Sequence, residues 1–145
     1  MGDAAPVGEG VGGGLQRGGR DELWVGAVIR VLVCGGRKFA DRDLLNRTLS
    51  DLHRTRGIDC IIEGNARGAD RLAGFWARKH RIDNIKFDAD WARDDKAAGP
   101  IRNQRMLDEG RPDLVVAFPG GSGTADMVRR ARHAGVRVVS LTPAP

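Results

Sequence analysis

The chain has no tyrosine, only two cysteines and only three histidines. It also lacks an apolar run long enough to cross a bilayer. The longest apolar stretch, 24–34, is interrupted by Arg30 and is about half the length that a spanning helix needs, roughly 20 residues. Cys34 and Cys60 lie within or at the end of apolar runs, so they read as buried free thiols of a reducing compartment, not as a disulfide framework. No histidine stands at ligand spacing from either cysteine, which excludes an ordinary zinc site. His53, His80 and His133 are scattered over segments of helical period and read as surface or packing residues. No basic region followed by a hydrophobic run opens the chain, so no secretory leader is expected and cytoplasm is the expected location.

What the chain does have is glycine and positive charge. There are 21 glycines, and 24 lysines and arginines against 19 acidic residues give a net charge of +5 over 145 residues. This length fits one domain with a proper core and not two. Asp3, Glu9, Asp21 and Glu22 outweigh Arg17 and Arg20 at the beginning, so residues 1–22 carry −2 and the remainder carries +7. Residues 1–22 are glycine-rich and poor in apolar surface, and a disordered tail is expected there. Residues 23–145 form the expected domain, whose basic balance favours anionic partners such as phosphates or nucleic acid.

Beyond residue 25, short β-branched runs alternate with longer segments of helical period. Strands are expected over 28–34, 58–63, 85–89, 114–118 and 136–141. Helices are expected over 41–56, 68–81, 100–109 and 124–134. Asp41 reads as an N-cap, Pro100 suits a helix start, and Gly135 ends the last helix. The alternation predicts an α/β fold, a Rossmann-like open parallel sheet of five strands covered by helices on both faces. Such sheets bind ligands beyond the carboxyl ends of their strands, at the switch point, which directs attention to the segments that follow each strand.

Gly35, Gly36 and Arg37 follow the first strand: two residues that let backbone approach a ligand, then a guanidinium fork that fits a phosphate. The plainer reading is a tight turn with a surface arginine. Gly64, Gly68 and Asp70 follow the second strand and open a helix, whose free N–H groups favour an anion. Asp70 there either complements the helix dipole or hydrogen-bonds a ribose hydroxyl. Trp91, after the third strand, stacks on a base or closes the edge of the core. Arg102 and Asn103 stand near the start of the third helix, with Arg102 in reach of a ligand, whereas Arg105 reads as solvated. Gly120, Gly121, Gly123 and Thr124 follow the fourth strand and run into a helix. This is the strongest local signal, a phosphate cradle. No lysine follows its last glycine, so it is not a Walker A loop.

Four segments in this order, VCGGRKF at 33–39, EGNARGAD at 63–70, AGPIRNQRM at 98–106 and FPGGSGTADM at 118–127, resemble the YspA-type branch of the SLOG superfamily. The resemblance spans residues 28–141. It implies a Rossmann-like domain that binds nucleotides or nucleotide-derived ligands, often as a sensor, and commonly self-associates. The superfamily includes the LOG phosphoribohydrolases, which release a base from a nucleoside monophosphate. Their signature is a PGGxGT loop with a catalytic glutamate three residues past the threonine and an arginine on a preceding helix. Here the loop is intact, Arg102 falls at the arginine position, and the glutamate position holds Met127, whose thioether cannot act as acid or base. Asp126 is one residue away, about 100° around the helix. The superfamily also includes DprA, which binds single-stranded DNA, and the segments at 66–70 and 102–103 resemble it too. The scarcity of aromatic residues for base stacking ranks that reading below a small ligand.

The expected function is therefore binding or sensing of a nucleotide-type phosphate ligand, with no metal and no further cofactor. An N-glycoside hydrolase using Asp70, Arg102 or Asp126 is the second reading, and nucleic-acid binding is the third.

Overall fold

A computed structural model describes residues 27–141; the expected tail over 1–22 lies outside them. The elements run β1 (Ile29–Cys34), α1 (Arg42–Thr55), β2 (Ile58–Glu63), α2 (Ala69–Lys79), β3 (Asp83–Lys86), α3 (Trp91–Asp94), α4 (Ala98–Asp108), β4 (Leu114–Ala117), α5 (Ser122–His133) and β5 (Arg137–Ser140). One 3-10 turn, Asp95–Ala97, joins α3 to α4. Among the described residues no helix is long and apolar enough to cross a membrane.

The five strands form one sheet in the order β3-β2-β1-β4-β5, and every pairing is parallel. This is the α/β architecture that the alternation implies. Side chains of successive residues point to opposite faces, and β1 shows why the sheet must be covered twice. Val31 and Val33 enter one apolar cluster with Leu45 and Leu49 of α1 and Ala73, Trp76 and Ala77 of α2. Leu32 and Cys34 enter the other, with Met106 and Leu107 of α4 and Met127 and Ala131 of α5. Trp76 is the largest residue of the first cluster; its Nε1–H donates to Ser50 at 3.0 Å and His80 stacks on its ring, so its polar tip is satisfied. Both cysteines are buried free thiols, as their apolar settings imply.

Helix boundaries follow local chemistry. Asp41 caps α1, its carboxylate accepting from the Leu44 N–H at 3.0 Å. Gly135, at φ +79°, ends α5 in the left-handed conformation that favours glycine.

Two expectations need correction. The third strand is Asp83–Lys86, not 85–89. Its position is set by pairing with β2 and by the Asn84 side chain, which donates to the Ile61 carbonyl at 3.2 Å. As a half-buried edge strand it carries little apolar pattern of its own. Trp91, expected in a loop, opens α3 instead, a single turn that Asp90 caps by accepting from the Arg93 N–H at 3.0 Å.

The sheet order changes direction between β1 and β4. Chains leaving those two strands diverge to opposite faces and open a crevice at the strands' carboxyl ends.

Candidate ligand cleft at the switch point

A cleft of about 620 Å³ occupies that crevice. Its lining draws on each of the segments singled out above: Gly35, Gly36 and Arg37 from the β1 end, Asp70 from α2, Trp91 from α3, Arg102 and Asn103 from α4, and Gly121, Gly123, Thr124 and Asp126 at the start of α5; Gly64, Gly68 and Gly120, expected in the site, do not line it.

The glycines divide into two kinds. Gly35, Gly64, Gly68 and Gly120 have protein atoms too close to admit a β-carbon, and at Gly36 the fit would be tight, 3.1 Å from Gly120 and from the Pro119 carbonyl. At Gly35 it would fall 2.6 Å from the Ala69 side chain, and at Gly120 it would fall 2.6 Å from the Gly36 nitrogen. At Gly64 it would fall 2.6 Å from the Arg102 guanidinium, so this glycine makes room for Arg102. Gly68 combines φ +83° with a β-carbon position 2.1 Å from the Gly36 carbonyl oxygen. It lines no part of the cleft, and its place is against the Gly36 loop. Gly121 and Gly123 are the other kind. A β-carbon at either would meet nothing within 4 Å, so the fold does not require glycine at these positions.

Gly36 holds the loops together. Its N–H donates to the Pro119 carbonyl at 2.9 Å, and its carbonyl accepts from the Ala69 N–H at 3.3 Å and the Phe39 N–H at 3.2 Å. The loop after β1 is thus tied to the cradle after β4 and to the start of α2. The cradle itself leads into α5 with Gly121 as N-cap and no side chain capping it, so its first N–H groups face the cleft region free for an acceptor.

Charge in the cleft is mostly positive. Arg102 donates from Nη1 to the Gly64 carbonyl at 2.7 Å and from Nε to Asn103 Oδ1 at 3.1 Å. Burial pushes its pKa down, Asp70 pulls the other way, and Arg37 adds repulsion. An arginine stays protonated in proteins; its lowered value means a poorly compensated charge. Asp70 is buried, accepting from the Ala66 N–H at 3.3 Å. Burial raises its pKa to about 6, with the Glu63 charge adding to the rise and Arg102 opposing it. Asp126 behaves oppositely. Burial raises it, but hydrogen bonds from Asn103 and Arg130 and the charges of Arg130 and Arg129 prevail and hold it below the usual carboxylate range. Cys34 is on the cleft floor, where burial, then the Asp70 charge, pushes its thiol to about 12, far from a reactive thiolate.

Met127 faces away from all of this. It is fully buried in the apolar cluster beneath α5, while its neighbour Asp126 turns to the cleft. Arg105, read as solvated, lies over the Phe87 ring at 5.4 Å and pairs with Glu109 at 3.3 Å.

The structure adds residues that the sequence does not single out: Lys96 and Arg129 in this cleft, and Arg67 and Arg71 in an adjoining one. Arg71 carries a signal visible in the sequence, a cation in the first turn of a helix, where the macrodipole favours anions.

Residues 29–93 match the model of the YspA, cpYpsA-related SLOG family. Gene 61 protein of Mycobacterium phage D29 is 36% identical over a 124-residue alignment covering 80% of this chain and 98% of the phage protein. The chain belongs to this SLOG family. The family match covers β1 through α3, and the cradle at 120–124 lies beyond it.

Two outcomes are expected. Gly68→Ala forces a side chain against the Gly36 carbonyl in a left-handed conformation, at a cost of about 2 kcal/mol or more; urea titration will show a lower midpoint with the slope preserved. For Asp70, the raised value means that the folded state keeps its proton where the unfolded chain has lost it. Stability therefore falls as pH rises from about 4 through about 6 and is level above. Asp70→Asn is expected to be more stable than the wild type at pH 7.5, by up to about 3 kcal/mol, and to match it near pH 4.

Proposed function

We propose that the cleft binds a nucleotide or a nucleotide-derived phosphate compound, and that the protein acts as a binding or sensing domain. The observation that carries this reading is the open space in front of Gly121 and Gly123 at the uncapped start of α5. Backbone N–H groups at a helix start attract an anion, and two glycines with no protein neighbour let a phosphate come close. Arg102, half-buried and held by the Gly64 carbonyl and the Asn103 side chain, supplies a fork toward the same space. Asp70 is available to a sugar hydroxyl, and the half-exposed Trp91 ring to a base. A cleft of this size is in the middle of the small-ligand range, roughly 300–1,000 Å³.

Gly121→Glu tests the assignment. Its side chain enters open space, so the melting temperature should stay within a few degrees of the wild type, while a carboxylate in the cradle repels phosphate. Calorimetric titration with mononucleotides should show affinity lost by at least tenfold, about 1.4 kcal/mol. Unchanged affinity in a folded variant sinks the assignment.

Hydrolysis of a nucleoside monophosphate is the second reading, favoured by one feature: Asp70, with a pKa near 6, is suited to proton transfer close to neutral pH. Asp126, held ionised, is not a proton donor there. Release of free base on incubation with nucleoside monophosphates, abolished by Asp70→Asn, would establish it. Met127→Glu does not restore the LOG glutamate, because the position faces the core. It is expected to destabilise by several kcal/mol through an unpaired buried carboxylate, measured by chemical denaturation, with no gain in base release.

A further inference from the structure

A second cleft of about 400 Å³ adjoins the first, and the two share Arg37, Ala66, Trp91 and Arg102 in their walls. Arg37 lies over the Trp91 ring at 5.5 Å, a stacked pair lining both spaces. The second space is set apart by its charge. Its lining holds four arginines, Arg37, Arg67, Arg71 and Arg102, against one carboxylate, Asp88. Asp88 accepts from the Asn65 side chain at 2.8 Å. Arg67 and Arg71 have no ion-pair partner among the described residues, and both flank the N-terminal end of α2. Cations there oppose the helix dipole and repel one another. The sequence accepts an unfavourable local arrangement on a wall that is otherwise tightly built. Asn65, at φ +57°, is pinned by the buried Glu63 carboxylate, which accepts from its N–H, and the Ala66 N–H is held by Asp70. A rigid loop and the helix start it leads into present two arginines without an ion-pair partner among the described residues to a concave space, which is the geometry of an anion site.

We propose that this second space receives a second anionic group of the same ligand, so that the ligand is a nucleotide bearing two separated phosphates. One sits on the cradle at the start of α5, the other between Arg67 and Arg71, and the nucleoside passes the Arg37–Trp91 pair. This rests on the nucleotide reading above and narrows it. It excludes simple mononucleotides as the preferred ligand.

The test is calorimetric titration of the full chain with three probes of one base: the nucleoside 5′-monophosphate, the 3′,5′-bisphosphate and the 5′-phosphorylated dinucleotide. At least one of the doubly phosphorylated probes should bind tenfold or more tighter than the monophosphate. In Arg67→Ala/Arg71→Ala that advantage should disappear, with monophosphate affinity changed by less than twofold. Both residues are exposed, neither forms an ion pair among the described residues, and alanine at position 71 favours the helix, so the variant will fold. Monophosphate binding without any advantage for the second phosphate overturns this proposal and leaves the nucleotide reading standing. So does an equal loss for all three probes in the double variant. No binding of any probe removes both. A twelve-residue oligonucleotide that binds tighter than the dinucleotide, with affinity falling steeply with salt, overturns the small-ligand assignment in favour of a nucleic-acid strand.

Discussion

The cleft depends on the backbone of one residue. The N–H and carbonyl of Gly36 tie the loop after β1 to Pro119 on one side and to the first residue of α2 on the other. Parallel strands leave their loops at a common edge, but a common edge does not bring loops into contact. Contact here requires backbone against backbone, and Gly35, Gly68 and Gly120 are the places where a β-carbon would hold the loops apart. Much of the glycine in the three motifs therefore serves loop packing, which in turn sets where Arg37, Asp70 and the cradle stand relative to one another.

On this frame the charged groups take unlike roles by unlike surroundings. Asp70 and Asp126 both face the cleft, yet burial pushes the pKa of one up, while Asn103 and two arginines hold that of the other below the usual carboxylate range. Arg102 has its guanidinium fixed by the Gly64 carbonyl and the Asn103 side chain, so its orientation is decided before any ligand arrives. Preorganised donors of this sort lose little freedom on binding. Cys34 shares the cleft floor without sharing its chemistry, because burial keeps its proton in place.

The sequence conveyed the architecture well because β1, β2 and β4 are largely apolar runs buried on both faces, and the four longer helices each bury apolar residues at helical spacing. It conveyed β3 poorly because an edge strand takes its register from its neighbour: Asn84 bonds the Ile61 carbonyl, and no apolar alternation announces that. It conveyed α3 poorly because a single turn rests on one cap, Asp90. The site segments were legible as glycine clusters after strands. Glycine in a sequence does not say whether the missing side chain makes room for a ligand or for the protein itself. Gly121 and Gly123 face open space, and Gly64 and Gly68 face Arg102 and Gly36. Only the packed loops separate these cases. Arg67 and Arg71 did not stand out in the sequence because their meaning comes from a concavity formed with Arg37, Trp91 and Asp88, residues as many as 34 positions apart from Arg71 in sequence order.

The position of β1 has a consequence for the order in which the molecule is made. β1 pairs with β2 through a connection of about two dozen residues, but its other edge waits for β4, which begins at Leu114. While the chain is being synthesised, the first three strands can assemble with α1 and α2, leaving an apolar, unpaired edge along Val31 to Cys34 until the fourth strand arrives. Such an edge is a template for pairing with another chain. The cradle that completes the cleft comes immediately after the strand that seals this edge. Sealing of the β1 edge and completion of the cleft thus follow one another late in synthesis, and a chain interrupted before Leu114 would have neither.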